Sequence, residues 1–184
     1  MVTPFDKNGE FAHISWDKAF DIIVFGATGF TGRLVAEYLH KTYGADGGVA
    51  WAMAGRSLEK LGRVRDELGI GTALPLLVAD ATDAQALQQL VARTQVVITT
   101  VGPYQRHGQP LVEACAAAGT DYVDLCGEPA WMAQMIPLLQ APAQRSGARI
   151  VFSCGFDSIP FDLGVFLLQK EFAQRFGHPA PRVR

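Results

Sequence analysis

Three cysteines in 184 residues, none of them in a Cys-x-x-Cys spacing, are too few and too scattered for a disulfide framework or a structural zinc site. That scarcity points to a reducing, cytoplasmic setting, and no metal site is expected. A charge excess of either sign is also missing: 16 Lys and Arg stand against 18 Asp and Glu, a formal charge of −2. A nucleic-acid binder needs a clustered basic surplus to displace counterions from phosphates, so that partner class is excluded. No stretch reaches the eighteen consecutive apolar residues of a membrane helix. Met1 to Phe20 carries Asp6, Lys7, Glu10, Asp17 and Lys18 and no apolar h-region, unlike a secretory signal.

What is present is a large apolar fraction, 49% of the chain, enough for one domain to bury a full core without covalent staples. From Asp21 onward short β-branched runs alternate with amphipathic stretches. Strands are expected at Asp21–Phe25, Val49–Ala54, Leu74–Ala79, Val96–Val101, Tyr122–Leu125 and Arg149–Ser153. Helical spacing marks Phe30–Lys41, Leu58–Leu68, Asp83–Arg93, Pro110–Ala118, Pro129–Gln144 and Phe161–Phe176, although Pro137 and Pro142 count against the fifth of these. Strand then helix, repeated six times, implies an α/β fold: a doubly wound parallel sheet of about six strands, order 3-2-1-4-5-6, with helices on both faces. Residues 1–20 fall outside the rhythm and read as a leader or an extra strand; 178–184 read as a tail.

Gly26-Ala27-Thr28-Gly29-Phe30-Thr31-Gly32 stands where the first strand ends and the first helix begins. Glycines at 26 and 29 let the backbone turn tightly and approach a pyrophosphate, while the N–H groups of the next helix face the anion. Gly32 permits close packing of that helix. The spacing is G-x-x-G-x-x-G rather than G-x-G-x-x-G, and the strand–loop–helix context supplies the specificity that the glycines alone lack. The second strand ends Ala54-Gly55-Arg56-Ser57, with no carboxylate before Glu59. An NAD binder places an acidic residue there for the ribose 2′-hydroxyl; Arg56 instead suits a 2′-phosphate, and Ser57 suits both a helix cap and a hydrogen bond. NADP is therefore expected over NAD. Asp80 falls where a carboxylate reaches the adenine amine, or else caps the helix near Asp83. Val101, Gly102 and Pro103 end the fourth strand at the switch point, where ligands bind in such sheets.

Taken in order, DIIVF-GATGFTG, AGRS, VGPY, DYVDLCGE and CGFDSIPFDLG resemble the saccharopine dehydrogenase-like oxidoreductases, in the branch that includes the trans-acting enoyl reductases. The likeness runs from about Asp21 to Gly177. It implies an NADP-dependent oxidoreductase whose Rossmann domain (residues 21–177) precedes a substrate domain not contained in this sequence, so that 184 residues read as a cut. The first 20 residues carry no such likeness: Asn8–Phe11 and Ile14–Asp17 resemble a short stretch of molybdopterin oxidoreductases, unaccompanied by molybdenum or iron–sulfur ligands. A small-molecule or lipid-like substrate and a homodimer are the partners so implied.

The hydride belongs to the nicotinamide, and the protein supplies orientation and a proton donor. No Tyr-x-x-x-Lys pair exists: Thr42, Gly47, Gly108 and Cys126 follow the four tyrosines at that spacing. Tyr104, His107 and Asp157, all near strand ends, are the weak catalytic candidates. Glu128 is read as a first-turn residue of its own helix, and Cys115, Cys126 and Cys154 as inert thiols, the last two near one another. The closing helix, apolar on more than one side, is either a core helix or a docking surface. Without a convincing donor, a non-catalytic NAD(P)-binding redox sensor or interaction module is the alternative function.

Overall fold

The computed structural model describes residues 18–45 and 47–183. The leader expected over 1–20 lies mostly outside the described residues. Its last residues belong to the domain: Phe20 is buried and opens the first strand, and the Lys18 ammonium donates to the Thr120 hydroxyl at 2.7 Å.

Among the described residues six parallel strands form one sheet: β1 (Phe20–Phe25), β2 (Trp51–Gly55), β3 (Leu76–Val78), β4 (Thr94–Thr99), β5 (Asp121–Asp124) and β6 (Ile150–Val151). Their order is β3-β2-β1-β4-β5-β6, as the alternation of strand and helix predicts. β1 is central because every residue from Ile23 to Phe25 is buried on both faces, the mark of an interior parallel strand. It pairs with Trp51–Ala54 on one side and Thr94–Thr99 on the other. The edge strands shrink to three and two residues against the longer runs expected, since an edge has one neighbour to pair with.

Among the described residues six helices connect the strands, α1 (Phe30–Tyr43), α2 (Leu58–Glu67), α3 (Ala84–Val91), α4 (Tyr104–His107), α5 (Gln109–Ala118) and α6 (Pro129–Ser146), and α7 (Ile159–Phe176) follows β6. α1 and α2 pack on one face through Ala36, Leu39, Leu61 and Val64. α3, α5 and α6 cover the other through Leu87, Leu111, Val112, Trp131 and Leu139. The change of face falls between β1 and β4, which opens a crevice above their carboxyl ends. α6 continues through Pro137 and Pro142, because Trp131, Met135 and Leu139, four apart, anchor its buried face.

Among the described residues nothing encloses α7. None of its residues is buried, and Phe161 and Phe166 are 64% and 60% exposed. The expected tail does not trail away: the Ala180 N–H donates to the Gln169 side-chain carbonyl at 2.7 Å, and His178 lies 5.6 Å from the Phe172 ring centre. Although α7 is apolar, no helix among the described residues is long and apolar enough to cross a membrane.

Candidate functional site

The crevice is built from the backbone upward. The loop after β1 begins at Gly26, whose φ of +91° is a conformation that L side chains rarely adopt. A Cβ there would also stand 2.7 Å from both the Thr100 hydroxyl and a Val101 methyl. The Gly29 N–H donates to the Gly26 carbonyl at 3.0 Å, which closes the turn, and the Thr100 hydroxyl donates to the same carbonyl at 3.1 Å. Thr100 thus ties the loop to the end of β4. At Gly32 a Cβ would meet the Gly26 carbonyl oxygen at 2.1 Å, so α1 sits directly against the loop's own backbone.

Gly29 differs from these two. Its φ of −79° is ordinary, and a Cβ would touch only the Gly26 carbonyl at 3.4 Å. The domain's packing asks little of glycine there, and what its missing side chain leaves open is the crevice. α1 carries no side-chain cap and no acidic residue in its first turn, whereas α2 and α3 are capped by Ser57 and Asp83. A 14-residue helix whose N-terminus has no side-chain cap, behind a loop with glycines at 26 and 29, presents unpaired N–H groups to an anion. Phe30 is 82% exposed at the lip, with half-buried Thr28 and Thr31 beside it.

Two contiguous clefts meet at Thr28 and Arg56. The larger, about 260 Å³, brings together Gly26, Gly29, Arg56, Asp80, Thr82, Thr100, Val101, Gly102 and His107. The smaller, about 250 Å³, is lined by Thr28, Arg56, Ser57 and Lys60. Most of the expected cofactor residues are therefore gathered in one place. Pro103 stands at the rim, where the Gly102–Pro103 peptide is cis and leads into α4. Lys60 and Thr82 were not foreseen. The signal for Lys60 was its position four residues after Arg56, which places a second cation on the first turn of α2.

Asp80 is not the helix cap. That role belongs to Asp83, which accepts from the Ala86 N–H at 3.0 Å. Asp80 accepts from the Thr82 hydroxyl at 2.7 Å and the Thr82 N–H at 2.8 Å, which hold its carboxyl below the usual range; Arg56 and His107 add to the effect. It is an ionised group facing the larger cleft.

Two of the catalytic candidates are displaced. The Tyr104 ring is buried against Trp131; its hydroxyl donates to the Thr99 carbonyl at 3.2 Å and accepts from the Leu125 N–H at 3.4 Å. Burial pushes this phenol far above its ordinary range, so it is a structural group rather than a proton donor. His107 lines the cleft with Arg56 and Asp80, away from the end where β5 and β6 terminate. Asp157 is exposed in the turn before α7. Glu128 is also reassigned: instead of serving α6, its carboxylate accepts from the Tyr104 and Gln105 N–H groups at 2.7 and 2.9 Å. It thereby caps α4 and fixes the loop at the end of β4.

Sequence reasoning overlooked Asp124, which is 3% exposed beneath the ends of β5 and β6. It accepts from the Tyr122 hydroxyl at 2.8 Å and from the Ser153 and Cys126 N–H groups at 2.7 and 3.0 Å. Loss of water nevertheless outweighs these bonds and raises its pKa. Ser153, at φ +60°, is held in that rare conformation by this carboxylate and by its own bond to the Cys126 carbonyl at 2.7 Å. Cys126 is buried and Cys154 half-buried, and desolvation raises both thiols. They are poor nucleophiles at neutral pH, as expected of them.

Fold and crevice together define a dinucleotide-binding domain of the Rossmann class. Residues 22–151 match the saccharopine dehydrogenase NADP binding domain, and the chain belongs to that family. A trans-acting enoyl reductase of Mycobacterium tuberculosis (strain ATCC 25618 / H37Rv) is 50% identical over 155 residues, which cover 84% of this chain and 36% of the relative. A trans-acting enoyl reductase of Mycobacterium ulcerans is 47% identical over 161 residues, covering 87% and 38%. The fold is shared with saccharopine dehydrogenase (L-Glu forming) from Saccharomyces cerevisiae, at a TM-score of 0.65 and 20% identity, over 86% of this chain and 32% of that one. The chain thus spans little more than a third of the length of the curated relatives it matches.

Proposed function

We propose that the chain is the cofactor-binding part of an NADP-dependent oxidoreductase that, like the relatives named above, acts as an enoyl reductase. The observation that carries this reading is the cradle: an uncapped helix behind Gly26 and Gly29, with Arg56 and Lys60 at the end where a ribose 2′-phosphate would lie. When bound, the nicotinamide supplies a hydride. The chain's own residues then bind and orient. The α1 N-terminus takes the pyrophosphate, and Arg56 forms charge-assisted bonds to the 2′-phosphate. Ser57 donates its hydroxyl and Lys60 adds a second positive charge. Val101, Gly102 and Pro103 form the wall on the β4 side, held in place by Glu128.

The substrate, a small or lipid-like enoyl compound in the cytoplasm, would meet the nicotinamide beyond the ends of β5 and β6. α7 supports a further domain there. Its exposed apolar residues Ile159, Phe161, Leu163, Val165, Phe166 and Leu168 fall on more than one side of the helix, a wider surface than a single apolar stripe. A homodimer stripe would use one face. The longer chains of the relatives carry the material for such a cover, so the proposed domain spans residues 18–177, with α7 as its docking surface.

Burial of Tyr104 is the one observation that favours a non-catalytic sensor, since it removes a proton donor from this part of the molecule. Turnover of NADPH with enoyl substrates by a full-length form separates the two readings; a sensor binds without turnover. The cofactor reading is tested with Arg56→Asp. It should weaken NADPH binding at least tenfold more than NADH binding, because a 2′-phosphate loses its cation and meets an anion; equal losses refute the assignment.

A further inference from the structure

His107 sits on the last turn of α4, and its ring lines the same cleft as Arg56, Asp80 and Thr82. These three belong to the ends of β2 and β3, the side of the sheet remote from β5 and β6. The imidazole thus shares its cleft with the Asp80 carboxylate and the Arg56 guanidinium. In a doubly wound sheet the pyrophosphate lies over the β1 loop, which fixes the adenosine half over β2 and β3 and the nicotinamide half over β4 to β6.

We infer that His107 is an adenosine-side binding residue, forming one wall of the adenine pocket opposite Asp80, and takes no part in hydride or proton transfer. The inference rests on the cofactor reading given above. A ring here can stack on the base or donate to its ring nitrogens. The charged groups that face it are Asp80 from β3 and Arg56 from β2, with Arg106 beside it on α4; Glu128 lies at the opposite end of that helix.

The test uses the 184-residue chain and two probes, NADPH and adenosine 2′,5′-bisphosphate, the second of which has no nicotinamide half. His107→Ala should weaken both by the same factor, about three- to tenfold, the size of one hydrogen bond or stacking contact. His107→Gln, which keeps a donor and most of the volume, should recover part of the loss for both, and it guards against misfolding of the alanine variant. A loss confined to NADPH would put His107 at the nicotinamide end and overturn the inference, as would unchanged affinity for both probes. If the wild-type chain bound neither probe, the cofactor reading itself would fail, a result distinct from either of these.

Discussion

Gly29 and Gly32, three residues apart in one motif, should respond in opposite ways to the same substitution. In Gly32→Ala the added methyl lies 2.1 Å from the Gly26 carbonyl oxygen and 2.8 Å from the Ala27 Cα. Both obstacles are backbone, so α1 has to move off the loop. Overpacking of this kind costs about 1–3 kcal/mol. Alanine's better helix propensity returns up to about 1 kcal/mol. A net loss of about 1–2 kcal/mol lowers Tm by about 2–8 °C in a domain of this size. In Gly29→Ala the methyl meets one atom at 3.4 Å, and the backbone conformation suits alanine. The poorer N-cap costs about 0.5–1 kcal/mol, and the smaller freedom of the unfolded chain returns a similar amount. Its Tm should stay within about 2 °C of wild type. Its methyl projects where a phosphate must approach, so NADPH binding should fall by a factor of about ten or more, which is about 1.4 kcal/mol. Thermal denaturation followed by equilibrium titration reads both quantities. A Gly29→Ala chain that binds NADPH like wild type, or that melts as early as Gly32→Ala, refutes the cradle.

The sheet order and the glycine loop between β1 and α1 were legible because both are written in local pattern. Short apolar runs mark strands, and glycines between a strand and a helix mark a tight loop at the helix N-terminus. The rest depended on long-range partners. Asp124 looks like any polar residue at a strand end; its bonds to Tyr122 and Cys126 are local, and only Ser153, arriving from the end of β6, closes it into a buried hub. Glu128 stands at the start of α6, and nothing in its neighbourhood says that its carboxylate crosses to α4. Tyr104 follows a strand end just as an exposed residue would, and its burial is decided by Trp131 on another helix. α7 shows the reverse: apolar periodicity cannot tell a core helix from one awaiting cover.

Other outcomes follow from these networks. Glu128→Gln replaces one acceptor with an amide donor against the Tyr104 and Gln105 N–H groups, and should cost about 1–2 kcal/mol, a fall in Tm of about 2–8 °C. Asp124→Asn keeps an acceptor for the Cys126 and Ser153 N–H groups while removing a carboxyl whose charged form is disfavoured by loss of water. Because the folded-state pKa is raised above 3.8, this group favours the fold at low pH, and that contribution is lost as pH rises through the raised value. The stability difference between wild type and Asp124→Asn, measured by denaturant unfolding, should therefore move against wild type from pH 4 upward; a flat difference contradicts it. Lys60→Gln should lower NADPH affinity two- to fivefold, roughly the worth of an exposed charge pair, and the loss should shrink in 0.5 M salt.

The central claim is that this crevice selects a dinucleotide carrying a 2′-phosphate. Equilibrium titration of the 184-residue chain with NADPH and with NADH, in the same buffer and at the same salt, tests it most directly. Charge-assisted bonds from Arg56, with Ser57 and Lys60 beside it, predict that NADPH binds at least about tenfold tighter. Equal affinities, or a preference for NADH, would contradict the account.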